Sequence, residues 1–287
     1  MKFPSVTTKT AVITGCSTGI GLATAELFRQ CGWRVIPTAR KPQDLEMLSG
    51  RGFEPVELDI ADAASTENAA RMIRERLGDD GIGVLVNNAG FGQVGAMEDL
   101  SREMLTYQFE VNVIGMQHLT NLLLPEMRRQ GFGRIINISS VLGRVSLPFL
   151  GIYSASKFAM EAMSDAMRVE LRGSGIAVSI IEPGPITTAF GENAAARAMA
   201  TLEARDTPHR AHYEREIKRR EVTSLKKAPF ALPPEAVARK ILHAAESARP
   251  CRRYCVTFPA YVGSLMARFV PAALLDAIMS RQAKAGT

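Results

Sequence analysis

The chain has 287 residues, 46% of them hydrophobic and 22% charged, and 35 Lys and Arg against 29 Asp and Glu leave a net charge of +6. That length can bury a substantial core as one large domain or two small ones, and the composition excludes a disordered or fibrous chain. No stretch is apolar enough for long enough to span a bilayer, and no secretory leader is legible in Met1-Lys2-Phe3-Pro4. The four cysteines, Cys16, Cys31, Cys251 and Cys255, lack framework or zinc spacing and read as reduced thiols of a cytoplasmic protein, with no metal site.

Short β-branched runs alternate with helical periodicity through most of the chain. Residues 10–14 predict a first strand and 19–31 a helix. Residues 34–38 predict a second strand, in which Pro37 is awkward, and Pro42 suits the first turn of a short helix. Residues 55–58 and 84–86 read as the third and fourth strands, with a helix at 63–77 between them. A long helix at 104–129, kinked at Pro125, precedes a fifth strand at 134–138. A helix at 153–173 leads to a sixth strand at 177–181. Beyond 183 come a charged helical stretch, a helix at 234–247, a strand near 254–258 and an amphipathic tail. Such repeats imply an α/β fold: a doubly wound parallel sheet, Rossmann-like, of about seven strands with helices on both faces. No linker cuts it, so 1–287 reads as a single domain, with a substrate lid at about 189–230 and a C-terminal extension at about 259–287.

The turn after the first strand runs Thr14-Gly15-Cys16-Ser17-Thr18-Gly19-Ile20-Gly21. Glycines there allow a tight turn, close approach of the backbone to a pyrophosphate and close packing of helix on strand. The helix start that follows offers free amides and the positive end of a dipole. Its G-x-x-x-G-x-G spacing is not the commoner G-x-G-x-x-G, but its place between strand and helix points to a dinucleotide. At the end of the second strand an acid would bind ribose hydroxyls, whereas an arginine would accept a 2′-phosphate. The chain offers Thr38-Ala39-Arg40-Lys41, which predicts NADP(H) over NAD(H), with Arg40 the main phosphate partner and Lys41 assisting.

Tyr153 and Lys157 stand four residues apart in Tyr-Ser-Ala-Ser-Lys and so share a helix face. A cation beside a phenol favours the phenolate and draws its pKa from about 10 toward neutrality. Such a tyrosine can trade a proton with an alcohol or ketone.

Together these motifs resemble the short-chain dehydrogenase/reductase family in its small single-domain form, over 14–188 of the chain. The resemblance implies an adenine contact at Asp59, followed by Ile60, and an NNAG motif at Asn87-Asn88-Ala89-Gly90, of which Asn87, Ala89 and Gly90 would meet the cofactor. It places the structural and catalytic Asn at Asn112, and the active-site Ser at Ser140 rather than Ser139, thirteen residues before the tyrosine. Pro183, Gly184 and Ile186 would line the cofactor, Thr188 would contact the nicotinamide amide, and Lys157 would hold the nicotinamide ribose. The implied activity is oxidoreduction: Tyr153 as general acid/base, Ser140 polarising the carbonyl and Asn112 positioning a water on Lys157.

Residues 148–161 and 182–190 are similar to 17β-hydroxysteroid and retinol dehydrogenases, which implies a bulky hydrophobic ketone or secondary alcohol against Leu142, Val145, Leu147, Phe149 and Phe190. Two alternatives stand beside it: a 3-ketoacyl reductase acting on carrier-bound chains, and a non-catalytic NADP(H) sensor. The basic segment 205–227 carries eight Lys/Arg and four Asp/Glu. Mixed signs and one aromatic, Tyr213, suit a solvated helix face better than a nucleic-acid surface. The tail at 261–279 is apolar, with Arg268 and Asp276 interposed, and suits closing a pocket or packing on a subunit better than membrane contact. Relatives pair through their long helices, which implies a homodimer or homotetramer.

Overall fold

Strands that alternate faces build the sheet. In the computed structural model, which describes residues 2–78, 80–204, 206–223 and 230–285, seven parallel strands run in the order β3-β2-β1-β4-β5-β6-β7. They are β1 (Thr10–Ile13), β2 (Arg34–Ala39), β3 (Val56–Glu57), β4 (Val84–Asn87), β5 (Gly133–Ile138), β6 (Ile176–Glu182) and β7 (Arg253–Cys255). In β1, Ala11 and Ile13 enter one apolar cluster while Val12 enters another, the period of two that a sheet covered on both faces demands. Parallel register also explains the near-continuous burial of β4, β5 and β6.

One face is covered by α1 (Gly19–Gln30), α2 (Pro42–Gly50) and α9 (Pro234–Glu246), around Phe28, Trp33, Val237 and Ile241. The other is covered by α3 (Ala63–Leu77), α5 (Gly115–Gln130) and α6 (Gly151–Glu170), around Ile73, Leu119, Leu123 and Met167. A third, smaller cluster joins Val94 to Ala194, Ala198, Tyr213 and Ile217 of α7 (Phe190–Ala204) and α8 (Arg210–Thr223), which occupy the expected lid. The chain ends in α10 (Phe258–Phe269) and α11 (Ala272–Ala285).

Several expectations change. The long helix at 104–129 is two: α4 (Arg102–Phe109) and α5, joined by a π-helical turn over Glu110–Ile114, and Pro125 lies within α5. The π turn is a one-residue insertion into the ladder, a feature concentrated at functional sites, and it carries Asn112. Pro37 costs little: β3 pairs only with Thr38 and Ala39, so on that side there is no ladder at the proline. The tail is two helices, and the outward residues of α10, Phe258, Tyr261, Leu265 and Phe269, are all exposed. Among the described residues no helix is long and apolar enough to cross a membrane. Tyr213, read as part of a solvated face, is fully buried. Of the basic segment, Arg205, Lys226 and Lys227 lie outside the described residues.

Candidate active site

The sheet order reverses between β2 and β4, on either side of β1, and the carboxyl ends of these strands open the crevice that ligands use in such folds. Gly15 adopts φ +70°, and a β-carbon there would lie 2.9 Å from Ala89 Cα. One on Gly21 would lie 2.2 Å from the Gly15 carbonyl oxygen. Glycine is therefore a steric requirement at both. Thr14 Oγ1 accepts the amides of Asn88 and Ala89, each at 2.9 Å, while Asn88 Nδ2 donates to the carbonyls of Thr14 at 2.8 Å and Gly15 at 3.0 Å. Thr14 and Asn88 were not singled out in the sequence as site residues, yet they weld the glycine turn to the end of β4. Thr18 is the extended N-cap of α1, with no side chain capping the amides and no acid in the first turn. A pyrophosphate fits this cradle by sterics and by charge. Ser17, Gly19 and Ile20 lie in the same turn, and a β-carbon on Gly19 would stand 3.2 Å from Thr188 Cγ2, so Thr188 faces it across the crevice.

Arg40, with half its side chain exposed, leaves β2 and donates from Nη1 to the Tyr107 hydroxyl at 3.0 Å. Asp59 is 3.7 Å from the same nitrogen. Lys41 is exposed and starts α2, Ile60 is buried, and the Asp59 carboxylate accepts the Ala61 amide at 3.1 Å. The sequence contained no signal for Tyr107, since a lone tyrosine on a helix is ordinarily packing.

Asn87 has its side chain held from below. Its side chain, 2% exposed, donates to Thr120 Oγ1 at 3.0 Å and to Asn137 Oδ1 at 2.8 Å in a network buried beneath the crevice. Only its backbone is left to meet a ligand; Gly90, beyond Ala89, is exposed. Asn112 is likewise committed: Oδ1 accepts the Phe91 amide at 3.1 Å, and Nδ2 donates to the Phe91 carbonyl at 2.9 Å and to Ser156 Oγ at 3.0 Å.

Tyr153 and Lys157, on the first two turns of α6, are 7% and 5% exposed. Lys157 Nζ donates to the Ile138 carbonyl at 2.7 Å and stands 5.9 Å from the centroid of the Tyr153 ring. Ser140 lies beside Tyr153 and favours its charged form, and its Oγ accepts the Leu142 amide at 3.1 Å. Ser139 instead interacts with Glu161. The titration differs from the expectation drawn from spacing. Burial pushes the Tyr153 phenol up to about 12, against the lowering influence of Ser140, and pushes the Lys157 ammonium down to about 8, against the charge of Glu161. Desolvation, and not the neighbouring lysine, dominates the phenol's titration.

The apolar walls are unequal. Phe190, first residue of α7, tilts over Tyr153 with ring centroids 5.6 Å apart. Leu142 is buried and Leu147 half-buried, while Val145 lies 3.7 Å from where a Gly263 β-carbon would be, against α10. Phe149, expected as a wall, serves the lid: at φ +63° its ring stacks 3.5 Å from His212 and meets Tyr213 edge-on at 5.7 Å. The Tyr213 hydroxyl donates to Asp99 Oδ2 and accepts the Ala96 amide, both at 2.8 Å. Pro183 accepts the Val141 amide at 2.8 Å, a β-carbon on Gly184 would collide with Thr257, and Ile186 bridges to Leu232. A groove of about 570 Å³ between α7 and α8 contains none of these groups. The crevice itself is narrowed by Phe190.

The model of a family described as short chain dehydrogenase matches residues 9–198. The chain is 39% identical over 271 residues to the uncharacterized oxidoreductase YbbO of Escherichia coli strain K12, covering 94% of each. It is 34% identical over 281 residues to an NADPH-dependent 3-dehydrocapnine reductase of Ornithobacterium rhinotracheale, covering 96% of this chain and 97% of that one. It is also 34% identical over 285 residues to 17-beta-hydroxysteroid dehydrogenase type 6 of Rattus norvegicus, covering 95% and 88%. With the parallel sheet, the glycine cradle and this extent of likeness, the chain belongs to the short-chain dehydrogenase family of oxidoreductases.

Proposed function

We propose that this protein is an NADP(H)-dependent oxidoreductase that interconverts a ketone and a secondary alcohol, with a bulky hydrophobic substrate held under Phe190. The observation that carries the reading is the convergence of Ser140, Tyr153 and Lys157 on one crevice that also holds the glycine turn and Thr188. A bound nicotinamide supplies or accepts the hydride. The protein's part is to hold the substrate carbon in place and to manage charge and proton on its oxygen.

In the reducing direction Ser140 Oγ donates to the carbonyl oxygen and stabilises the negative charge that gathers there. The Tyr153 hydroxyl gives its proton to that oxygen as the alcohol forms; in oxidation the phenolate takes it back. The buried Lys157 ammonium keeps the phenolate from being an isolated buried anion and, on the family's pattern, holds the nicotinamide ribose. Phe190 excludes water from the phenol. Arg40 supports the choice of NADP(H), as does the printed name of the NADPH-dependent relative. The apolar cover at Leu142 and Phe190 and the steroid-dehydrogenase relative support a hydrophobic substrate.

Four free cysteines support a reducing, cytoplasmic setting. Exposed Ile114, Phe158 and Val169 support a homodimer or homotetramer. Loss of NADPH absorbance with a panel of apolar ketones tests the reading. Tyr153→Phe should lose about 10²–10⁴-fold in kcat while still binding cofactor; activity near wild type, or faster turnover of small polar sugars, would overturn it.

A further inference from the structure

Arg40 is half exposed on a loop, and an arginine free to swing would lose much rotamer freedom on gripping a phosphate. In this fold it is not free. Its Nη1 donates to the Tyr107 hydroxyl at 3.0 Å, and Asp59 approaches the same nitrogen only to 3.7 Å. A guanidinium has five donors in a planar fork and pairs most strongly when two of them meet one anion. Left alone with Asp59, Arg40 would turn that fork onto the carboxylate and be neutralised by it. The Tyr107 hydroxyl takes the Nη1 donor at short range instead, so the carboxylate keeps only a long ion pair at 3.7 Å. The interaction with Tyr107 is also the largest of those that favour the charged guanidinium.

The tyrosine is itself held on a rigid platform. Its ring, half-buried on α4, tilts against Phe91 at 5.2 Å. The guanidinium of Arg197, from α7 of the lid, lies 4.1 Å from the Phe91 ring and 5.6 Å from that of Tyr107. The Phe91 backbone is pinned by Asn112 on both its amide and its carbonyl, and by Gln108 Nε2 at 3.0 Å. Lid, π turn and phosphate arginine thus meet through two aromatic rings.

We propose that Tyr107 is a positioning residue for cofactor choice: its hydroxyl keeps Arg40 from closing its fork onto Asp59 and turns it toward the 2′-phosphate of the adenosine ribose. This inference rests on the NADP(H) reading above and deepens it. It predicts that removing one oxygen atom, with the ring and its stacking retained, weakens recognition of the 2′-phosphate alone.

The test titrates adenosine 2′,5′-bisphosphate and adenosine 5′-monophosphate calorimetrically into wild type, Arg40→Ala and Tyr107→Phe. The two probes differ by the 2′-phosphate only. Wild type should bind the bisphosphate at least about tenfold more tightly, the size of one good charge-assisted contact. Arg40→Ala should erase that preference. Tyr107→Phe should reduce it about three- to tenfold, with monophosphate affinity unchanged within about twofold. In turnover the same variant should raise KM for NADPH, with KM for NADH and both kcat values unmoved. A bisphosphate preference that is unchanged or stronger in Tyr107→Phe overturns the role of Tyr107 and leaves the NADP(H) reading standing. Equal weakening of both nucleotides also overturns it, because that is the mark of a merely structural residue. No preference in wild type overturns the reading and the inference together.

Discussion

The ring of Phe190 lies 5.6 Å from the ring of Tyr153, inclined at 55°, so the first residue of the lid roofs the candidate proton donor. Gly92 makes room for it: a β-carbon there would sit 2.8 Å from Phe190 Cζ. On the proposed function, this roof would keep water off the phenol and give a substrate an apolar surface. Burial of a phenylalanine side chain contributes about 1.5–3 kcal/mol, so Phe190→Ala should raise KM for a bulky apolar ketone about tenfold or more. A small ketone such as acetone, which does not reach the roof, should change by less than about threefold. Steady-state kinetics on the two substrates checks this, and equal change in both would remove Phe190 from the pocket.

The glycine turn makes a second, steric claim. On Gly21 a β-carbon would stand 2.2 Å from the Gly15 carbonyl oxygen and 2.6 Å from Asn88 Nδ2. Both neighbours are fixed, the first as backbone and the second by its bonds to Thr14 and Gly15. Overpacking of this kind costs about 1–3 kcal/mol. Gly21→Ala should lower the urea midpoint accordingly and weaken every dinucleotide, with or without a 2′-phosphate. A methyl at the solvent-open Gly32, where nothing lies within 4 Å but φ is +78°, tests backbone conformation alone, and that variant should retain cofactor binding.

Period-two burial made the sheet legible, because Ala11, Val12 and Ile13 alternate between two cores as a doubly covered strand must. The glycine cradle was legible for the same kind of reason: few residue types satisfy its sterics. Tyr213 was misread, and the packing of Phe149 was not legible, because their environment is supplied by chain far away in sequence, Tyr213 by Asp99 and Ala96, Phe149 by His212. Helical spacing placed Lys157 beside Tyr153, yet it carries no information on burial, and burial sets both titrations. The π turn at Asn112 was invisible because its surroundings are tertiary: a β-carbon at Gly115, just after it, would collide with the Ile60 carbonyl.

Asn112 should prove as important to stability as to chemistry. Its carboxamide satisfies the Phe91 amide, the Phe91 carbonyl and Ser156 Oγ from a fully buried position. Asn112→Ala strands the Phe91 amide, and an unpaired buried donor costs about 1–3 kcal/mol beyond the lost bonds. Chemical denaturation should therefore show a loss of roughly 2–4 kcal/mol. A variant as stable as wild type would mean that Phe91 is held by other groups and that Asn112 serves the reaction alone.

Lys157 should do the opposite, lending function at the expense of the fold. Burial lowers its ammonium to about 8 from an ordinary 10.5, against the raising influence of Glu161. Between those two pH values the unfolded chain binds a proton that the folded chain has released, so this group makes stability rise as pH climbs through the window. Below about pH 8 the full cost is present, on the order of 3 kcal/mol. Lys157→Met should therefore be inactive yet more stable than wild type at pH 7, with the advantage shrinking toward pH 10.5. Other groups facing the site are present in both proteins and largely cancel in the difference: Tyr153 lies above the window, and Glu161, raised by burial, faces Arg253 and Glu182 in both. Urea midpoints of the two proteins at pH 7, 8.5 and 10 measure the effect. An advantage that stayed constant across that range would show that packing, and not the buried charge, sets the difference.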